Sequence, residues 1–365
     1  MTKSIRKTKG HSIEVDWSTV VAIGIDLGDR VSQYVALDAY GERIGEGRVP
    51  TTAESFKTRF GSIGPKDVAI ETGTHSPWSS RLLKRLGHRV TVANSRRLRL
   101  IYENRKKNDK VDADYLARLV RVDPKLLHPV EHRSEDAQQR IILLRSRDAL
   151  VKTRSRLITF VRGVIKSMGV RLPSCSSEAF VKRSRPAVPE SVQAIVEPIL
   201  STLERVGAEI AAYDRQIEKL ANDDRDAQVL MQIPGVGALT SMTYMATLGE
   251  RDRFRRSRTV GAWLGLVPAE HASGQSNPQQ RITKEGDGYL RSLLINCAHY
   301  ILGRYGPDCD LRRHGEAIAA RGGKNAKKRA IVAVARKLAV LLHRLWCTGA
   351  IYEPLRNALS PANAA

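Results

Sequence analysis

The sequence predicts an α/β domain followed by a mostly helical region, with a long antiparallel helical hairpin joining the two. Three observations carry this reading. Residues 20–93 alternate short apolar runs with turn formers. Residues 137–224 hold apolar side chains at heptad spacing. Near the C-terminus, Lys327 to Trp346 reads as one further long helix. The predicted borders are a basic arm at 1–19, the α/β domain at 20–130, the hairpin at 135–225, a helical domain at 226–350 and a tail at 351–365.

Val20 to Asp26 (VVAIGID) is nearly continuous in apolar residues, as a strand covered on both faces should be. Leu27 to Arg30 supplies a turn, Ser32 to Asp38 alternates, and Gly41 to Val49 reads as a third strand, so the three form a meander. A helix is expected around Ala53 to Arg59, then a short strand at Asp67 to Glu71, a helix from Trp78 to Leu86, and a strand from His88 to Ala93. Asp109 to Val120 continues as another helix. The order β-β-β-α-β-α-β is that of the ribonuclease H-like folds. Asp123 to Ser134 reads as a linker.

From Ala137 to Met168, apolar pairs recur every seven residues: Leu143/Leu144, Leu150/Val151, Leu157/Ile158 and Val164/Ile165. A second helix places Val192, Val196, Ile199, Leu203, Val206, Ile210, Tyr213, Ile217 and Leu220 at strict 4-3 spacing, the signature of a coiled-coil seam. Pro198 should kink its first turn or mark its true start. Residues 137–168 carry eight Lys/Arg against one Asp, and residues 189–224 carry three against eight Asp/Glu, so the paired helices have opposite charge. Either a solvated scaffold arm or a dimerisation arm fits this pattern.

The charge of the whole chain narrows the function. With 61 Lys+Arg against 38 Asp+Glu, the 365 residues carry +23, which points to a polyanion and, first among these, nucleic acid. A content of 42% hydrophobic and 27% charged residues excludes a collagen, a mucin or a wholly disordered chain. The four cysteines form no CxxC pair, so neither a zinc site nor a disulfide framework is expected, and a cytoplasmic protein fits. No apolar core follows the basic N-terminus, and Arg336 and Lys337 break the most apolar helix, so no membrane span is expected. Residues 251–344 alone carry nineteen Lys/Arg against seven Asp/Glu. Ile233-Pro234-Gly235-Val236-Gly237 resembles a helix-hairpin-helix loop, in which the backbone N–H groups around Gly235 and Gly237 grip a phosphate; a plain helix–helix turn is the alternative.

Four carboxylates stand out by position. Asp26 and Glu71 end two strands, and Asp109 and Asp112 lie three apart on one face of a helix. In a ribonuclease H-like sheet these elements converge at one edge. Clustered carboxylates repel one another unless a divalent cation compensates, and Mg²⁺ prefers such oxygen ligands. Two such ions would activate a nucleophile and stabilise the leaving oxygen at a phosphodiester. Asp29, Asp38 and Asp114 are decoys on this reading. His75 either supports a metal or is an ordinary loop histidine.

The chain resembles the "one-ten" group of insertion-sequence transposases, the DEDD transposases with a RuvC-like N-terminal domain. The matching residues are Gly24-Ile25-Asp26-Leu27, Ile70-Glu71-Thr72-Gly73 and Lys107 to Asp114. Further on they are Ile233 to Gly237, Gly265 to Pro268, Ala272-Ser273-Gly274, Arg281 to Lys284 with Gly286, and Tyr289-Leu290-Arg291. The resemblance implies a metal-binding tetrad of Asp26, Glu71, Asp109 and Asp112, and a C-terminal transposase domain whose Ser273 attacks DNA. It also implies a structured non-coding guide (bridge) RNA that pairs with the element's ends and with target DNA. The implied assembly is a dimer or tetramer in which Ser273 of one subunit meets the tetrad of another, acting at the bacterial nucleoid. Ser273 lies in a loop of turn formers with Arg281, Lys284 and Arg291 following to hold a phosphate. Ser276 is its rival and His271 a candidate base. Where the family commonly has Lys-Arg-Gly, this chain has Lys284-Glu285-Gly286.

Three rivals explain less. An actin-like ATPase or sugar kinase would share the Gly24 to Gly28 motif but need a second phosphate turn that the sequence lacks. A non-catalytic nucleic-acid scaffold explains the charge but not the four carboxylates. A RuvC-like junction nuclease explains the carboxylates but leaves the C-terminal half without a task.

Overall fold

A computed structural model describes residues 15–95, 109–270 and 280–357, the side chain of Asp109 excepted. These residues form two compact units, one ending at Arg133 and one starting at Ser134.

The first unit is built on a five-stranded sheet of β1 (Ala22–Asp26), β2 (Val31–Leu37), β3 (Arg43–Pro50), β4 (Asp67–Glu71) and β5 (Arg89–Ala93). Its order is β3-β2-β1-β4-β5. The first three strands pair antiparallel, whereas β1, β4 and β5 run parallel. Helices α1 (Ala53–Phe60), α2 (Ser76–Arg85) and α3 (Asp109–Val122) complete the unit in the expected order. The two faces of the sheet differ in side-chain size. Ile23, Ile25, Val68, Ile70 and Val92 pack on one face with Phe56, Phe60, Leu82 and Leu83. On the other face Ala22, Ala69 and Ala93 cluster with Leu116 and Val120 of α3, which therefore lies close to the sheet. Gly24 makes the closest approach. A β-carbon there would stand 2.0 Å from the Ala113 carbonyl oxygen and 2.4 Å from the Ala117 nitrogen.

The stretch expected as a linker is packed rather than free. Asp123 caps a 3₁₀ turn at Pro124–Leu127, and Leu127 is fully buried against α3 and the sheet. Backbone bonds from Asn94 to Leu127 (3.0 Å) and from Val130 to Val92 (2.9 Å) lay this segment along β5. One apolar side chain among polar neighbours is enough to anchor it.

The second unit opens with α4 (Glu135–Ser167), which starts two residues before the apolar pattern does because Ser134 caps it, accepting from the Ala137 N–H at 3.2 Å. A short helix, α5 (Phe180–Ser184), precedes α6 (Glu190–Asp223). Leu144 clusters with Ile217 and Ala221, and Val161 and Ile165 cluster with Val196, Leu200 and Leu203, so α4 and α6 run antiparallel. Opposite charges meet across them: Arg147 pairs with Asp214 at 2.5 Å and Arg140 with Asp224 at 2.9 Å. Of the expected seam, Val196, Leu203, Ile210 and Ile217 are buried, while Val192, Ile199, Val206, Tyr213 and Leu220 are half-buried. A single partner helix buries one heptad column fully and the other only in part. Pro198 neither starts the helix nor ends it. It sits on the exposed side, where the carbonyl of exposed Ala194, which it cannot satisfy, meets water.

The remaining helices are α7 (Arg225–Met231), α8 (Ala238–Leu248), α9 (Arg258–Trp263), α10 (Gly288–Leu302), α11 (Asp310–Ala320) and α12 (Ala326–Thr348). Thr240 to Leu248 of α8 are all buried, and this helix forms the middle of a core that the base of the hairpin shares. The Tyr244 hydroxyl donates to the Ala339 carbonyl at 2.6 Å, tying α8 to α12.

Two predictions follow from this packing. Gly24→Ala should destabilise the first unit by about 1–3 kcal/mol, the cost of overpacking against a backbone that cannot yield. Gly163→Ala and Gly207→Ala lie in the long helices with nothing within 4 Å of the new methyl, and each should stabilise by about 0.5–1 kcal/mol. Guanidinium denaturation midpoints measure both, and a neutral Gly24→Ala would refute the close seat of α3. The second prediction concerns His132. Burial first, and then the charges of Arg81, Arg133 and Lys84, lower its pKa from 6.5 to about 4. The unfolded chain thus takes up a proton near pH 6.5 that the folded chain refuses until about pH 4, so its stabilising contribution is full above pH 6.5 and lost as pH falls through that window. Denaturation midpoints measured from pH 7 to 4 should fall less steeply in His132→Gln than in the parent chain.

Candidate active site and nucleic-acid interface

Side-chain alternation along the strands decides where the carboxylates point. Ala22 and Gly24 face α3, so Asp26 does too; Ala69 faces α3, so Glu71 follows it. The register Gly24↔Ala69 and Ile25↔Ile70 brings Asp26 level with Glu71 on adjacent parallel strands, whose spacing is about 4.8 Å. Ala22 packs with Leu116 and Val120, whereas Gly24 meets Ala113 and Ala117. Helix α3 therefore runs back along β1, and its first turn reaches the strand end that bears Asp26. Asp112, on the sheet-facing stripe of that turn, is only 6% exposed. Asp26 and Glu71 are half-buried. Asp109 is the first residue of α3, and its side chain lies outside the described residues.

Among the described residues, no group of three or more ligating side chains is drawn together tightly enough to hold a metal by itself. The donor set nonetheless suits Mg²⁺, which keeps several waters and takes one or two carboxylates together with substrate phosphates rather than a closed protein cage.

The neighbouring acids have other occupations. Asp38 accepts from the N–H groups of Tyr40 and Glu42, both at 2.9 Å, and so closes the β2–β3 turn. Asp114 pairs with Arg43 at 3.2 Å and Arg118 at 2.8 Å. Asp29 is 95% exposed and lies 3.7 Å from His75 Nε2. The other nitrogen of His75, Nδ1, accepts from the Trp78 indole at 3.0 Å, so that ring is braced at the start of α2.

In the second unit, Gly235 and Gly237 lie on the exposed turn between α7 and α8. Gly235 has φ +88° and lies against the Tyr300 ring, which a β-carbon would approach to 2.7 Å. Ser273, Ser276 and His271 fall outside the described residues, but both flanks of their segment are described. Pro268 bridges Ile282, Ala269 N–H donates to Arg281 at 2.8 Å, and Thr283 N–H donates to Val267 at 2.9 Å. Gly265 and Gly286, both at positive φ, let this short ladder press against backbone: their β-carbons would come within 2.4 Å of Glu285 and 2.2 Å of Trp263. Arg281 and Lys284 are exposed at the base of the ladder. Arg291 braces it, its guanidinium donating to the carbonyls of Leu264 (2.9 Å) and Glu285 (2.7 Å). Asp287 caps α10 and pairs with Arg145 of α4 at 2.5 Å.

Sequence reading missed the basic residues that line a cleft beside this ladder, among them Arg258, Arg321, Arg336 and Arg344. A signal was present. Arg329 and Arg336, like Lys337 and Arg344, are seven apart and so share a helix face.

Comparison with known proteins gives the family. A DEDD transposase family model matches residues 23–169, and the model described as "Transposase IS116/IS110/IS902 family" matches residues 227–312. A probable family 20 transposase of Pseudomonas aeruginosa is 28% identical over 340 residues, covering 91% of this chain and 98% of that protein. The transposase for insertion sequence element IS1111A of Coxiella burnetii is 27% identical, with 88% of each chain covered. The transposase for insertion sequence element IS1328 of Yersinia enterocolitica is 29% identical over 78% of this chain and 85% of its own. Two family models in the same order, over well over half of the sequence, and relatives matched along nearly their whole length lead to one conclusion: the chain belongs to the IS116/IS110/IS902 family of transposases.

Proposed function

We propose that this transposase cuts and exchanges DNA strands with two centres: a RuvC-like carboxylate set of Asp26, Glu71, Asp109 and Asp112, and a nucleophilic Ser273. The observation that carries the reading is the meeting of Asp26, Glu71 and the first turn of α3 at one sheet edge. The strand order, with three antiparallel strands followed by two parallel ones, is that of a ribonuclease H-like sheet. Mg²⁺ bound at these oxygens would neutralise their repulsion and polarise a phosphodiester there. Asp26, Glu71 and Asp112 would hold the cation, with Asp109 as fourth partner, and the close seat of α3 on Gly24 sets the height of its first turn against the strand ends. The Ser273 oxygen bonds to phosphorus as the bond from phosphorus to the leaving ribose oxygen breaks. The proton lost by the serine is matched by one gained at that oxygen, leaving a covalent phosphoserine link. Arg281 and Lys284 face the phosphate, and the turn of Gly235 and Gly237 offers N–H groups to a second one.

The same reading includes a structured guide RNA and a homo-oligomer. Support for the RNA is the resemblance, together with a net charge of +23 that suits a polyanionic partner. Support for assembly is the half-buried heptad column Val192, Ile199, Val206, Tyr213 and Leu220, which a second copy would cover. A cytoplasmic site of action belongs to the same reading. Among the described residues no helix is long and apolar enough to cross a membrane.

Two experiments test the centres separately. Asp26→Asn, Glu71→Gln and Asp112→Asn should each lower strand cleavage by roughly 10³-fold, the scale of losing one partner of developing charge, while nucleic-acid affinity persists. Cleavage of a labelled element end, with and without EDTA, reads this, and activity unchanged in EDTA refutes the metal. Ser273→Ala should remove every denaturant-resistant protein–DNA adduct, whereas Ser276→Ala should retain it. Mass spectrometry that finds DNA on Ser276 would reassign the nucleophile.

A further inference from the structure

The second unit contains a cleft of about 1430 Å³ between α12 and the short ladder of residues 267–269 and 281–283. Helix α12 contributes Lys328, Arg336, Lys337 and Arg344 to one wall, and Arg258, Arg281 and Lys284 line the other. Against them stand two lining carboxylates, Asp310 and Glu353, and Asp310 already accepts from the Asn357 N–H at 2.9 Å. Among the described residues, none of these seven cations forms an ion pair. Several arginines elsewhere in the unit are neutralised: Arg145, Arg147, Arg185, Arg312 and Arg313 each hold a carboxylate. Like charges gathered unpaired in one concavity repel, and the cost is recovered only when a polyanion enters.

The floor narrows the class of polyanion. Leu266, Leu311, Val340 and Leu341 line the same cleft and give it an apolar strip among the cations. A duplex turns its bases inward and would leave this apolar strip uncovered. A single strand can lay sugars and bases on the strip and direct its phosphates to both rims. One rim cation is also held in advance. Gly261 of α9 has room for the stem of Arg336, whose Cγ a β-carbon would approach to 2.9 Å, so the guanidinium is propped toward the cleft.

We propose that this cleft seats an unpaired DNA strand, with its phosphates on the α12 cations and its sugars and bases on the apolar floor, beside the ladder that leads into residues 271–279. The inference rests on the proposed strand-exchanging function and adds the place and the single-stranded form of the substrate.

The test uses the full chain and two fluorescein-labelled probes, a 20-nucleotide oligo-dT and a 20-base-pair duplex of mixed sequence, followed by anisotropy over a salt series. Oligo-dT should bind tighter than duplex. The variant R336Q/K337Q/R344Q should weaken oligo-dT at least about tenfold and flatten the salt slope by about 2, as three lost phosphate contacts on a single strand require. R336K/R344K, which keeps the charges, should stay close to the parent, so a folding defect cannot mimic the result. The control R156Q/K166Q/R171Q removes three exposed cations from the hairpin and its loop and should change oligo-dT affinity far less. Equal losses in both triple variants, or an unaffected cleft variant, overturn the cleft; tighter binding of duplex overturns the single strand. A chain that binds neither probe overturns the proposed function as well. Asp26→Asn should bind oligo-dT like the parent, so chemistry and strand binding fail separately.

Discussion

Helix α3 lies on β1 with no side chain between them at Gly24, and the carboxylate edge is a consequence of that contact. On an ordinary sheet, side chains separate the helix backbone from the strands below it. Here Ala22, Gly24, Ala69 and Ala93 leave no such layer, and Ala113 and Ala117 present equally small faces from the helix. The helix sinks, and an aspartate on its first turn comes level with the strand ends rather than above them. The opposite face carries the bulk, with isoleucine, valine and phenylalanine, and supplies the burial that offsets holding acids near one another.

The second unit is organised by charge as much as by apolar packing. Its hairpin is a thin two-helix structure whose ends are better buried than its middle: Leu144 and Ile217 join the C-terminal core, while Val161, Val196 and Phe180 make a small separate one. Between them the helices are joined by Arg147 and Asp214 and by half-buried leucine, valine and tyrosine. Arg145 and Asp287 carry the same pairing to the base of α10, which links the arm to the ladder of residues 267–269 and 281–283. Eight arginines of this unit hold a carboxylate, whereas among the described residues the row along α12 forms no ion pair, so which cations stay unpaired depends on the packing and not on composition.

Much of the fold was legible because it rests on local periodicity. The five strands and three helices of the first unit follow the apolar runs within a few residues. The column Val196, Leu203, Ile210 and Ile217 is buried as a 4-3 repeat requires. What was misread has a physical cause in each case. Ser134 starts α4 through one hydrogen bond that no hydrophobic pattern records. Pro198 lies inside the helix, and the Ala194 carbonyl that it leaves without an N–H donor faces water. The supposed linker is held by Leu127 and two backbone bonds to β5, and a single buried residue has no period.

The carboxylates divide the same way. Strand-end position singled out Asp26 and Glu71 from sequence, and helical spacing singled out Asp112. That Asp114, two residues further, serves Arg43 and Arg118 instead depends on a helix face, which the 3.6-residue period already separates. The cleft was not legible, since Arg258, Arg281 and Arg336 are distant in sequence and become one surface only when α9, the ladder and α12 pack. By itself, then, the sequence determined the order of elements, the acids at the strand ends and the excess of positive charge, because periodicity and composition are local or additive. Tertiary structure alone decided which cations remain unpaired and face one another, because pairing depends on distances that no spacing along the chain specifies.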